Sequence, residues 1–310
     1  MTESRVRLML PFAIFIAILA ISTGSIFIRF AQHDGMPSLV IAALRLTFAT
    51  LILAPITFIK YLEEIKRFSR KALLLGLLSG VFLAIHFATW ISSLEYTSVA
   101  SSAVFVSTGP LWVALLSPML LKEHLTRIAL IGLGFALLGG TIIGLSDACA
   151  WDNAGLICPA LEDVMRGRTM WGNFLALIGA WTVTGYLIIG RKLRAGMSLI
   201  PYIFLVYGMA ALTLIVIMFA SGNSPFGYAP RAYGWIFLLA AIPQLIGHST
   251  YNWTLKYMAA ALVAVTTLGE PIGSAILAFF ILKETPTWMV VAGGALILAG
   301  IYLASTRQST

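Results

Sequence analysis

Residues 93–140 read SLEYTSVASSAVFVSTGPLWVALLSPMLLKEHLTRIALIGLGFALLGG, and residues 254–300 read TLKYMAAALVAVTTLGEPIGSAILAFFILKETPTWMVVAGGALILAG. A shift of 161 residues lays the second stretch on the first without gaps, so that Pro110 meets Pro271 and Lys122-Glu123 meets Lys283-Glu284. Leu94 and Tyr96 meet Leu255 and Tyr257, and Gly132 and Gly139 meet Gly293 and Gly300. Upstream the register continues, with Gly24 on Gly185 and Gly35-Met36 on Gly196-Met197. Over 90–140 against 251–301, 15 of 51 positions are identical, about twice what a shared apolar composition supplies. The proline and the Lys-Glu pair in register mark an internal duplication.

Of 310 residues, 60% are hydrophobic and 10% charged, and the mean hydropathy is +0.95. A soluble domain carries about 25% charged residues because its surface meets water, so soluble, disordered, coiled-coil and disulfide-rich classes are excluded. Lipid offers the backbone no hydrogen bonds, and long apolar runs therefore read as helices. Ten spans are predicted: 8–30, 36–59, 72–93, 97–121, 127–145, 171–190, 197–220, 232–253, 258–282 and 287–305. These runs are twice the length of a porin strand. Arg5 and Arg7 ahead of an apolar run resemble a signal peptide. The run lacks a small-x-small cleavage site, however, and is read as a retained first helix.

The net charge of +8 sits in loops, which signals orientation and not nucleic-acid binding. With the N-terminus inside, fourteen Lys and Arg fall in inside segments and five outside, while Arg45 lies within a span. Both termini are therefore expected on the cytoplasmic side of an inner, cytoplasmic membrane. Five spans per copy is an odd number, so the second unit is expected upside down. The organisation is then 1–145 and 171–310 as inverted five-helix repeats, joined by an external loop at 146–170. Cys149 and Cys158, the only cysteines, share that loop, where an oxidising medium permits a disulfide; two free thiols are the other reading. Inverted repeats around a midplane site characterise secondary transporters, because exchanging the conformations of the halves exchanges the open side.

These residues carry a family resemblance. The Leu-x-Tyr opening of the fourth span, its mid-span proline, the Lys-Glu exit and the glycine-spaced fifth span occur in both copies. They resemble the two EamA-type units of the drug/metabolite transporter superfamily over nearly the whole chain. The resemblance implies an all-α, ten-helix carrier with a central cavity, moving amino acids or other small metabolites, often outward. The acidic-proline pairing of the family is kept at Glu270-Pro271, whereas the first unit departs from it with Gly109-Pro110.

Ionisable residues deep in a membrane need a partner, a wet cavity or a function. Arg45 lies about 14 Å from the outer end of its span and Glu270 about 18 Å, so a salt bridge between the halves is expected. It serves either as a lock between helices or as a site in which Glu270 titrates or binds a substrate amino group while Arg45 holds its charge. Gly109-Pro110 and Gly269-Glu270-Pro271 mark equivalent interruptions and are the candidate hinges; a static kink is the alternative. Polar stripes reach the same depth: His86, Thr89, Trp90 and Ser93 in the third span, and Gln244, His248, Tyr251 and Asn252 in the eighth. Ser22, Ser25 and Arg29 in the first span and Trp181, Thr184 and Gly185 in the sixth join them. His86, Trp90, Trp181, Gln244, His248, Tyr251, Asn252 and Glu270 are the candidate substrate-binding residues. Trp112, Trp171, Trp235 and Trp288 read as interfacial anchors or packing. Gly76-x-x-x-Gly80 and Gly140-x-x-x-Gly144 read as helix-packing motifs, with a monomer expected.

No H-E-x-x-H, G-x-S-x-G or Walker motif is present, and only one carboxylate lies deep. Neither an enzyme nor a metal or cofactor site is expected. The reading is a carrier of a small molecule, working by alternating access and exporting an amino acid or related compound, with protons as the candidate coupling ion. Exporters of cationic or aromatic drugs or nucleosides, and lipid-linked flippases, are the alternatives.

Overall fold

The computed structural model describes residues 3–97, 99–146, 150–152, 155–158, 160, 167–282 and 285–305. The described residues are almost entirely helical and form ten membrane-crossing segments. In the first unit these are α1 (Glu3–Ser22) with α2 (Gly24–His33), α3 (Ser38–Lys60), α5 (Arg70–Ser93), α6 (Val99–Val106) with α7 (Gly109–Leu120), and α8 (Arg127–Ser146). The short α4 (Leu62–Lys66) links the second and third spans. In the second unit they are α9 (Gly167–Arg194), α10 (Leu199–Ala220), an interrupted eighth span, α13 (Ala260–Thr267) with α14 (Glu270–Leu282), and α15 (Trp288–Ser305). The eighth span is α11 (Pro230–Leu239), a π-helical segment (Ala240–His248) and α12 (Ser249–Thr254). Six helical runs are long and apolar enough to cross a bilayer unaided; three shorter apolar helices and the interrupted eighth span complete the ten.

Large apolar side chains face outward, Leu8, Ile59 and Met119 being 81%, 80% and 78% exposed. Water would not tolerate such a belt, and lipid does. The loop between the units contains a small hairpin, β1 (Ala150–Asp152) paired antiparallel with β2 (Gly155–Ile157). Cys158 follows it and is disulfide-bonded; Cys149 lies outside the described residues.

Inversion of the second unit is visible in how equivalent helices meet. In the fifth and tenth spans, Gly132 lies against Gly300 and Gly139 against Gly293. The order reverses along the pair, so the two helices run antiparallel, each glycine facing the repeat-equivalent of the other. A Cβ added at Gly132 would stand 2.5 Å from the Gly300 carbonyl oxygen. The third span packs antiparallel on the sixth, with Gly179 at Trp90 and Gly185 at Phe82. The first packs on the eighth in the same way, Gly24 near Pro243 and Gly247 against Ile21. The 161-residue shift exchanges these two pairs, and the second and seventh spans, equivalent to each other, pack together.

Gly76 and Gly80 approach the seventh span closely, as a packing motif should, but a Cβ at Gly140 would meet nothing within 4 Å. In the fifth span the close contacts fall seven residues apart, at Gly132 and Gly139, because a nearly aligned antiparallel partner is met every second turn. Gly132→Ala is therefore expected to lose about 1–3 kcal/mol of stability through backbone overlap. Gly134→Ala, with nothing within 4 Å, should hold or gain up to about 1 kcal/mol from helix propensity. Denaturant titration of the two variants in detergent distinguishes them.

Candidate functional site

The fourth span breaks between Val106 and Gly109 and the ninth between Thr267 and Glu270, at positions the repeat makes equivalent. Pro110 and Pro271 each become the second residue of a new helix, where a missing N–H leaves no bond unmade. Thr184 Oγ1 donates to its own helix at the Ala180 carbonyl, 2.8 Å away, and lies 3.3 Å from the Gly109 carbonyl; Ser22 Oγ donates to the Ile18 carbonyl at 2.7 Å and lies 3.1 Å from the Glu270 carbonyl. Each hydroxyl belongs to the first span of the opposite unit. Ser274 Oγ donates back to the Ser22 carbonyl at 3.1 Å, and Gly269 lets Ile18 approach to within 2.9 Å of where a Cβ would stand. The first span is itself interrupted at Thr23.

Arg45 is buried on the second span. Its Nε donates to Gln244 Oε1 at 2.8 Å, and the guanidinium lies 4.2 Å from the centroid of the Phe87 ring. The expected salt bridge with Glu270 does not form: Glu270, half-buried, acts on Arg45 only through space. The π-helical segment brings Gln244 to Nε instead, and the helix break places Glu270 in the first turn of α14, where the helix dipole favours a carboxylate. Phe87 packs edge-to-face on His248 at 5.6 Å. These two positions are repeat-equivalent, so the pseudo-twofold axis passes between them and through the site.

The remaining expected residues divide. His86 Nδ1 donates to the Gly179 carbonyl at 2.9 Å, which ties the third span to the sixth, and its ring stacks on Trp90 at 6.0 Å. A carbonyl only accepts, so the proton is assigned to Nδ1. Asn252 Nδ2 donates to the Tyr186 hydroxyl at 2.5 Å and the His248 carbonyl at 2.9 Å, with the Tyr207 hydroxyl 3.3 Å away. Tyr251 is buried with its hydroxyl 3.5 Å from the Thr266 carbonyl. Trp181 stands apart from the cluster. It lies two residues beyond Gly179, about 200° around the helix from the third span, and pairs edge-to-face with Trp112 at 5.7 Å. Trp112, read from the sequence as an anchor, shares its surroundings.

Sequence reasoning missed Phe87, whose ring covers Arg45, and Tyr186, Tyr207 and Ser249, which continue the polar chain: Tyr207 lies 3.2 Å from Ser249 Oγ, which donates to the Gln244 carbonyl at 3.2 Å. It also missed the π-helical segment, for which Pro243, beside Gln244, was the available signal. Two grooves, about 290 and 250 Å³, do not include Arg45 in their lining, the first lying between Leu44, Phe48, Ile215 and Phe226 and the second between Met9, Leu245, Ser249 and Trp253. Among the described residues no three His, Cys, Asp or Glu side chains gather as metal ligands.

Both ends of the bundle are tied by charge. At one, Glu123 accepts from Arg191 Nε at 2.5 Å and from the Ala260 amide at 3.1 Å, while Arg191 Nη1 donates to the Leu255 carbonyl at 2.8 Å. This latch joins the ends of the fourth, sixth, eighth and ninth spans. At the other end Arg231 and Trp235 hold Asp34, and the Arg231 hydrogen bond keeps the Asp34 carboxyl below its ordinary value of 3.8. A lowered value means that the Asp34 charge contributes stability above pH 3.8 and loses it only below. Asp34→Asn is accordingly expected to lower the melting temperature at neutral pH, with the gap to the unaltered protein closing as pH falls beneath 3.8. Melting curves in detergent across the acid range measure it.

The chain matches the EamA-like transporter family twice, at residues 9–145 and 170–306. An uncharacterized transporter of Archaeoglobus fulgidus is 25% identical over 294 residues, 94% of each chain, and YetK of Bacillus subtilis, also an uncharacterized transporter, is 22% identical over 94% of this chain and 86% of its own. A WAT1-related protein of Arabidopsis thaliana is 33% identical over 40% of this chain and 35% of its own. A solved crystal structure superposes with TM-score 0.74 at 19% identity, covering 95% of both chains, and shows the same fold. The protein is a multi-pass membrane transporter of the two-unit kind found in the drug/metabolite transporter superfamily. It belongs to the EamA-like transporter family.

Proposed function

We propose that the protein is a secondary carrier of the cytoplasmic membrane that exports an amino acid or related small metabolite by alternating access. The observation that carries this reading is the pair of equivalent helix breaks at Gly109-Pro110 and Glu270-Pro271, each touched by a hydroxyl of the opposite unit, together with the buried Arg45–Gln244 pair. A break whose carbonyl is shared across units can change partners when the units rock. The Glu123–Arg191 latch closes the end assigned to the cytoplasm by the Lys and Arg count, and that end opens when the latch releases. Glu270 meets the amino group of the substrate or carries the coupling proton, and Gly109, Pro110, Gly269 and Pro271 form the hinges. Substrate conversion plays no part in this cycle, and the chain works as a monomer with both termini cytoplasmic.

Half-buried Glu270, within electrostatic reach of buried Tyr251, also suits a cation, so export of cationic or aromatic compounds is the second reading. Counterflow in proteoliposomes tests both. Saturable exchange of an amino acid, reduced at least about tenfold by Glu270→Gln, is expected. Unchanged transport by Glu270→Gln at every pH removes Glu270 from the mechanism, and conductance without saturation replaces the carrier by a channel.

A further inference from the structure

We propose that Arg45 and Gln244 together form an anion subsite that takes the carboxylate of the transported molecule. This rests on the reading of the protein as an amino-acid carrier and deepens it.

Gln244 is fully buried, and its Oε1 is spent on Arg45 Nε. Its Nε2 faces the Tyr207 hydroxyl and has no acceptor in full hydrogen-bond geometry. Arg45 bonds the protein through Nε alone, so Nη1 and Nη2 take no acceptor among the described residues. The two Nη nitrogens of Arg45 thus have no protein acceptor, and beside them Gln244 Nε2 has only the Tyr207 hydroxyl. A buried guanidinium compensated by one neutral oxygen, a ring face and a carboxylate beyond contact is expensive in a membrane. If Arg45 only locked two helices, the partner of choice would be a carboxylate in contact, and the chain places Glu270 elsewhere.

The ligand that satisfies these donors brings acceptor oxygens and one negative charge. A planar carboxylate matches the guanidinium fork. Glu270 nearby acts on Arg45 through space and makes the local charge balance neutral. A dianionic phosphate would upset that balance, whereas a zwitterion preserves it, its carboxylate on Arg45 and Gln244 and its ammonium toward Glu270. The substrate class is therefore a free α-amino acid whose carboxylate is required for binding, and its amide or decarboxylated amine is discriminated against.

The full-length protein in lipid nanodiscs is screened by thermal shift against the standard amino acids. The amide and the amine of the strongest ligand are then titrated by calorimetry. Binding of the acid at least about tenfold tighter than either derivative is expected, since each leaves Arg45 without its counter-charge. Gln244→Leu should weaken the acid by a similar factor and leave the amine unchanged, and Arg45→Gln should abolish the preference. Because that second variant can fail to fold, the ligand comparison on the unaltered protein stands alone. Equal binding of acid and amide overturns the anion subsite while leaving an amino-acid carrier. Binding of amines with no amino acid bound overturns the amino-acid reading, and the subsite with it.

Discussion

Hydrocarbon supplies no partner for a loose carbonyl, so every interruption of a helix in this bundle must be satisfied by another part of the chain. At the fourth and ninth spans the break is closed locally, the Thr108 amide turning back to the Phe105 carbonyl and the Gly269 amide to the Thr266 carbonyl, and the opposite unit adds a hydroxyl, Thr184 against the Gly109 carbonyl and Ser22 against that of Glu270. The same reciprocity governs the glycine contact between the fifth and tenth spans, where the backbones touch because no Cβ intervenes. Two folded halves are thus bound into one body by interactions that exist only when the second copy is inverted.

A twofold scaffold does not yield a twofold site. Phe87 and His248 are equivalent and touch each other on the axis, yet one is apolar and the other titratable. The equivalents of Arg45, Gln244 and Glu270 are Val206, Leu83 and Gly109. The repeat therefore does not duplicate the charges: a cation and an acid belong to different units and act on each other through space. From Gln244 the polar chain runs through Ser249 and Tyr207 to Asn252 and Tyr186. It fastens the eighth span to the sixth and seventh. Any rearrangement of the site must act on that chain, since interdigitated interiors move as units and not by gradual deformation.

The eighth span shows how local irregularity serves this arrangement. Pro243 lacks an N–H inside a π-helical segment, and Gly24 and Gly247 line the surface where the interrupted first span meets it. Irregular backbone in both helices lies at the level where Gln244 reaches across to Arg45. Such segments are disfavoured in regular helices and recur at functional positions.

The sequence by itself determined the duplication, the ten spans, the odd parity and the equivalent prolines, because each follows from hydropathy length and register, which act locally or by simple repetition. It also placed Arg45, Gln244, His248 and Glu270 at one depth. Only the tertiary structure decided who bonds whom. Arg45 takes Gln244 and not Glu270, His86 is spent on the Gly179 carbonyl, and Trp181 turns to Trp112. A polar stripe says that a helix face must point inward. Which neighbour meets it depends on helix rotation, on breaks such as those at Thr23 and in the π-helical segment, and on side-chain reach, all set by packing between segments far apart in the chain.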